Sequence, residues 1–205
     1  MINIALRANL TTLYGEPQRH YHNLSHIQHC LRELSQLQDA DDPSKKVHPS
    51  DALAIEFAIW FHDCVYDPRA PYGENERESA NLAWTYLHEN SWRDLALPVS
   101  NMILATGDHF GLNVKDEYPL GTKYFLDIDL SVLGADYKIY EQYAANIRKE
   151  YLFVDREVYM EARQKILTSF LNKPRIFQTD YFHNKYEALA RQNIQWEMRT
   201  VSSCL

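Results

Sequence analysis

The segment Leu53 to Val65, LAIEFAIWFHDCV, constrains the fold of this chain more than any other. Leu53, Ile55, Phe57, Ala58, Trp60, Phe61 and Val65 put apolar groups on nearly every side of a helix, and such a helix is stable only when enclosed. Helices are the natural enclosure. Apolar residues recur at spacings of three and four along most of the chain, alternating runs are scarce, and only 6 of the 205 residues are Gly. The sequence therefore predicts an all-α fold, a helical bundle with this segment buried at its centre. At this length a single body over 1–205 is expected, with a motif-bearing core at about 20–134 and additional C-terminal helices at 135–205.

The second clear helix covers Leu24 to Leu37, where Leu24, Ile27, Leu31 and Leu34 form one apolar stripe. The central helix is expected to be capped by Ser50 or Asp51, after the polar loop DADDPSKKVHP, and to end near Tyr66. Asn75 with Glu78 three residues on has the form of a capping box for the next helix. Further helices are predicted near 76–90, 94–106, 122–133, 135–152, 156–171 and 179–198, with Lys173-Pro174-Arg175 as a loop. Trp84, Trp92, Met102, Trp196 and Met198 are expected to pack in the core or between helices. Tyr137, Tyr140, Tyr143, Tyr151 and Tyr159 could serve core packing, a pocket mouth or a homodimer face, and periodicity does not choose among these.

A net charge of -7 denies the chain the basic footprint that a nucleic-acid polymer requires. No run approaches the 18 or so apolar residues of a membrane span. Three separated cysteines and no secretory start lead to an expectation of a soluble cytoplasmic protein without disulfides.

The chemistry starts at His62-Asp63. As a dipeptide it is a weak signal, but here two polar groups follow a run of bulky apolar ones, and burying them without partners would cost a few kcal/mol. A divalent metal is one such partner, since imidazole and carboxylate both ligate and adjacent helical side chains can reach one ion. His26, on the edge of its helix's apolar stripe, is the best candidate for the next ligand, whereas His29 and Glu33 should point further toward solvent. In FLDIDLSVLG, Asp127 has the option of a helix cap, and Asp129, flanked by Ile128, Leu130, Val132 and Leu133, is the acid expected to turn inward. Two His and two Asp leave two positions of an octahedral ion open.

These residues carry a resemblance. His26, then His62-Asp63 closing an apolar helix, then Asp129 resemble the ordered H, HD, D signature of the HD superfamily of metal-dependent phosphohydrolases. YHNLSH at 21–26, WFHDCVYD at 60–67 and DIDLSVLG at 127–134 look more narrowly like a bacterial group of predicted HD phosphohydrolases. The resemblance implies an HD-domain helical bundle around a metal and hydrolysis of a small phosphate ester, such as a nucleotide. Two imidazoles favour Mn²⁺, Fe²⁺, Co²⁺, Ni²⁺ or Zn²⁺ over Mg²⁺. One ion is expected and a second is allowed. The Tyr-His-Asn-x-x-His pattern is similar to that of cyclic-nucleotide phosphodiesterases, which would make His22 a general acid. Asp67 matches the position where some HD nucleotidases carry a catalytic acid, and His109 is a candidate for a second metal or a substrate phosphate. Arg19, Arg69 and Lys123 adjoin the motif blocks and are candidate phosphate contacts. Two alternatives share these residues: an HD-fold diiron oxygenase with a second-ion set from His22, Asp67 and His109, and a non-catalytic nucleotide-binding sensor.

Overall fold

The apolar segment forms a helix whose wall is other helices. In the computed structural model, which describes residues 4–39, 47–107 and 118–202, all regular structure is helical and no strand occurs among the described residues. The order is α1 (Ile4–Leu13), α2 (Leu24–Gln38), α3 (Pro49–Phe61), α4 (Glu74–Glu89), α5 (Arg93–Thr106), α6 (Leu120–Leu130), a 3-10 turn (Ser131–Gly134), α7 (Tyr137–Glu150), α8 (Arg156–Asn172) and α9 (Asp180–Ser202). The described chain divides into two compact units, Met1–Asp129 and Leu130–Leu205. No described helix is long and apolar enough to cross a membrane.

In the first unit α3 packs against α2, α4 and α5. Ile55, Phe57, Ala58 and Ile59 are wholly buried. Each of the large ones contributes about 1.5–3 kcal/mol by leaving water. Helix α1 is an element the sequence reading did not anticipate. It buries Leu6 and Leu10, and Tyr14 just beyond it sends its hydroxyl to the Trp60 carbonyl at 3.0 Å.

Three expected boundaries are corrected. The N-cap of α3 is His48, whose ring accepts from the Ser50 N–H, with Pro49 at the first helical position. Asp51 instead sits in the first turn, where its charge favours the helix dipole. Helix α3 stops at Phe61, five residues before Tyr66, because side chains take over the carbonyls a longer helix would have used. Tyr14 donates to Trp60 O, His62 Nδ1 to Ile59 O, and Arg19 to Asp63 O and Cys64 O. The cap of α4 is Gly73, at a φ of 77° that other residues rarely adopt. Asn75 is used elsewhere: its amide accepts from the Asp67 N–H and donates to the Asp67 carbonyl, both at 3.0 Å.

The second unit is organised by its 3-10 turn, whose four residues are all buried and pack against α9. Asn193 of α9 donates to the carbonyls of Leu133 and Ala135 at 2.9 and 2.8 Å. Gly134 is required by proximity. A Cβ there would lie 2.5 Å from Tyr186 Cβ. Arg163 and Glu197 form a buried bidentate pair at 2.7 and 3.1 Å, and Tyr140 donates to the same carboxylate at 2.6 Å. The loop at Lys173-Pro174-Arg175 is present, and Arg191 binds the Leu171, Lys173 and Pro174 carbonyls.

Met102 is buried as expected, Trp92 meets Phe57, and Trp196 meets Tyr137 and Tyr140. Trp84 is corrected: it is 42% exposed and stacks on His88 of its own helix. Tyr140 is core, Tyr159 lies under Arg148, and Tyr137 is largely exposed.

Candidate metal centre

Three helical segments of the first unit bring four donor atoms together. His26 comes from the first turn of α2, His62 and Asp63 from the C-terminal end of α3, and Asp129 from the last turn of α6. His26 Nε2 lies 3.1 Å from His62 Nε2, 3.0 Å from Asp129 Oδ1 and 3.7 Å from Asp63 Oδ2. His62 Nε2 lies 3.0 Å from Asp63 Oδ2 and 3.4 Å from Asp129 Oδ1. Ligand atoms ~2.1 Å from one ion stand ~3.0 Å apart at right angles and ~3.4 Å apart at the tetrahedral angle. The spacing therefore suits a shared ion.

The chemistry of the donors agrees with the spacing. His62 Nδ1 is 2.9 Å from the Ile59 carbonyl, and a carbonyl can only accept, so the proton sits on Nδ1. Nε2 is then left as a lone pair directed at His26 and the two acids. Carboxylates and imidazole lone pairs converging at this range require a cation, either a proton or a metal. Without a metal the proton answers. Burial alone would lower the His62 pKa, but the charges of Asp63 and Asp129 outweigh it and hold the imidazole well above its ordinary value. Burial likewise opposes ionisation of Asp63, and His62, His22 and His26 overcome it and hold the carboxyl well below the usual range.

The side chains of His26 and His62 are 1% and 2% exposed, against 19% and 15% for Asp63 and Asp129. The imidazoles are thus sealed in and the cluster meets solvent on its carboxylate side. These buried groups can hold a metal ion.

A frame of side chains holds the peptide that carries His62 and Asp63. Tyr14 fixes the Trp60 carbonyl and Arg19 those of Asp63 and Cys64. Ser79, itself wholly buried, binds both the N–H and the carbonyl of Val65, and Asn75 binds both of Asp67. Partners of this kind orient ligands and are half of what makes a site. None of Tyr14, Ser79 and Asn75 was singled out as part of a site from sequence, since nothing local marks a side chain that serves a distant backbone.

His22 is half-buried, stacks on Tyr66 at 4.3 Å between centroids and lies 6.2 Å from the His26 ring. Asp67 is exposed and its carboxylate accepts from the Arg69 N–H at 2.8 Å, a turn role. Arg69 is exposed on that turn and Lys123 is half-buried on α6. Arg19 is corrected: its side chain is 1% exposed and its N–H groups point at Glu16 and three backbone carbonyls, not toward solvent or a phosphate. Glu33 is corrected as well, being buried, whereas His29 is half-buried. Asp127 is no cap but a fully buried residue inside α6, more deeply buried than Asp129. His109 lies outside the described residues.

Cys30, one turn after His26, is a neighbour the sequence reading did not weigh. It is a free, buried thiol, and burial followed by the charges of Asp129, Asp63 and Glu33 pushes its pKa well up. Its Sγ is 3.8 Å from both ring nitrogens of His26. With His26 and Asp129 this thiol forms a second group of donors that could hold a metal ion.

No family model, curated protein or solved structure matches the chain.

Proposed function

We propose that the chain is a metal-dependent phosphohydrolase of the HD type, acting on a small phosphate ester. The observation that carries the proposal is that His26 Nε2 and His62 Nε2 lie 3.1 Å apart and each lies 3.0–3.7 Å from a carboxylate oxygen of both Asp63 and Asp129, with the His62 Nε2 turned into the cluster. Two imidazoles and two carboxylates suit one ion of the Mn²⁺, Fe²⁺, Co²⁺, Ni²⁺ or Zn²⁺ class. Such an ion, when bound, makes water a better nucleophile at neutral pH and offsets charge on phosphoryl oxygens.

The chain's own residues supply the rest. The exposed side of Asp63 and Asp129 is where an ester reaches the centre, since the imidazoles are closed to solvent. His22, held against Tyr66 beside the cluster, carries the proton for the leaving oxygen, and an imidazole whose ordinary pKa is near ~6.5 can both hold and release it. With Arg19 engaged inside the protein, Arg69 and Lys123 are the remaining cations of the motif blocks for the ester's charge.

The test is elemental analysis of protein purified without chelator, followed by a phosphate-release screen over nucleotides and other monoesters. About one transition ion per chain, phosphate release, and loss of both in His62→Ala is the expected result. A wild-type protein that takes up no ion after reconstitution with Mn²⁺ or Fe²⁺ would sink the proposal.

A further inference from the structure

We infer that Arg19 is the positioning residue of this centre, setting Asp63 and His22 relative to one another through their backbone carbonyls. The inference rests on the metal reading above. Three of the four donors lie on two stretches of chain, the start of α2 and the end of α3, and one guanidinium bridges the two. Arg19 Nη1 donates to the Asp63 carbonyl at 2.5 Å and to the His22 carbonyl at 3.3 Å, and Nη2 donates to the Cys64 carbonyl at 3.1 Å. Nε is taken by Glu16 at 2.8 Å, and the group lies over the rings of Tyr14 and Tyr66 at 5.3 and 5.5 Å. Tyr66 is also the ring on which His22 stacks, so Arg19 meets His22 twice, by its carbonyl and through its neighbour.

Capping the end of α3 would explain the bonds to Asp63 and Cys64 but not the bond to His22. His22 precedes the N-cap of α2, Asn23, and its carbonyl is no orphan of the α3 terminus. A planar fork of fixed geometry holds three carbonyls at set offsets, which a lysine ammonium on a flexible stem cannot do. Ligands displaced by such a change lose metal affinity, commonly about 10–100-fold.

The experiment is Co²⁺ titration of the metal-free full chain, read by the visible d–d spectrum and by affinity, in wild type, Arg19→Lys, Glu16→Ala and Thr106→Val. Thr106→Val removes a buried side-chain donor from the Ile103 carbonyl at the end of α5, away from the centre, and is the control for a purely structural effect. Arg19→Lys is expected to bind Co²⁺ about tenfold more weakly or worse, with a changed spectrum. Glu16→Ala, at a partly exposed site, should shift both in the same direction by a smaller factor, and it decides the matter if Arg19→Lys does not fold. Thr106→Val should match wild type. Wild-type spectrum and affinity in the Arg19 variant, or in Glu16→Ala where that variant is the deciding one, overturn this inference alone. Absence of Co²⁺ binding in the wild type overturns the metal reading, and this inference with it.

Discussion

His26 Nε2 and His62 Nε2 face each other at 3.1 Å inside the first unit, with a carboxylate oxygen within 3.0 Å of each. With one His62 proton fixed on Nδ1 by the Ile59 carbonyl, Nε2 meets the acids either as a metal ligand or carrying the second proton that the charges of Asp63 and Asp129 favour. A metal that binds only the folded cage must stabilise the fold. At a hundredfold excess over its dissociation constant the gain is about 2.7 kcal/mol. For a chain of this size that is roughly a 5–10 °C rise in Tm. Scanning calorimetry with and without Co²⁺ or Mn²⁺ should show the rise in wild type and none in His62→Ala.

The two acids of the third motif block have separable roles. Asp129 faces the imidazoles, whereas Asp127 is sealed inside α6. Asp129→Asn should lose the ion and keep the wild-type circular dichroism and nearly the Tm of the metal-free wild type. Asp127→Asn should keep a measurable ion while losing about 1–3 kcal/mol of stability. The reverse pattern in metal analysis would reassign the ligand.

Gly134→Ala tests the contact that organises the second unit. The added methyl would stand 2.5 Å from Tyr186 Cβ and 2.8 Å from the Tyr186 carbonyl, so backbone has to move. The expected cost is about 1–3 kcal/mol, read as a lower urea midpoint. An unchanged midpoint would mean that α9 yields freely there.

Arg163 and Glu197 are both buried, and Glu197 also accepts from Tyr140. Arg163→Met leaves that carboxylate without its cation, at a cost of about 3–5 kcal/mol. Arg163→Met with Glu197→Leu should recover much of the loss, since neither charge then remains. A double mutant no better than the single would show that packing, not charge, governs the pair.

Glu187 gives the acid limb of stability. Burial opposes its ionisation, but the N–H groups of Ile176 and Phe177 and the side chain of Arg191 outweigh burial and lower its pKa. A depressed carboxyl stabilises the fold above its unfolded value of ~4.3 and loses that contribution as pH falls through the folded value. Glu187→Gln should therefore be less stable than wild type at pH 7, with the difference shrinking at lower pH. A constant difference across urea melts from pH 7 to 3 would exclude this origin.

The sequence by itself determined the all-helical architecture and the four donors of the cluster. Period-three and period-four spacing is a local property, and a helix apolar on all sides, α3, has few ways to be solvated. His62-Asp63 at its end and Asp129 amid apolar residues were legible because polar groups in apolar runs need partners. What the tertiary structure alone decided is what those partners are. The early end of α3, the use of Asn75 on Asp67 and the burial of Arg19 among carbonyls of distant residues depend on which backbone groups come near which side chains. An arginine reads the same in sequence whether it faces a phosphate or a peptide carbonyl. Only the fold, by closing a 44-residue separation to a hydrogen bond between Arg19 and Asp63, distinguishes the two.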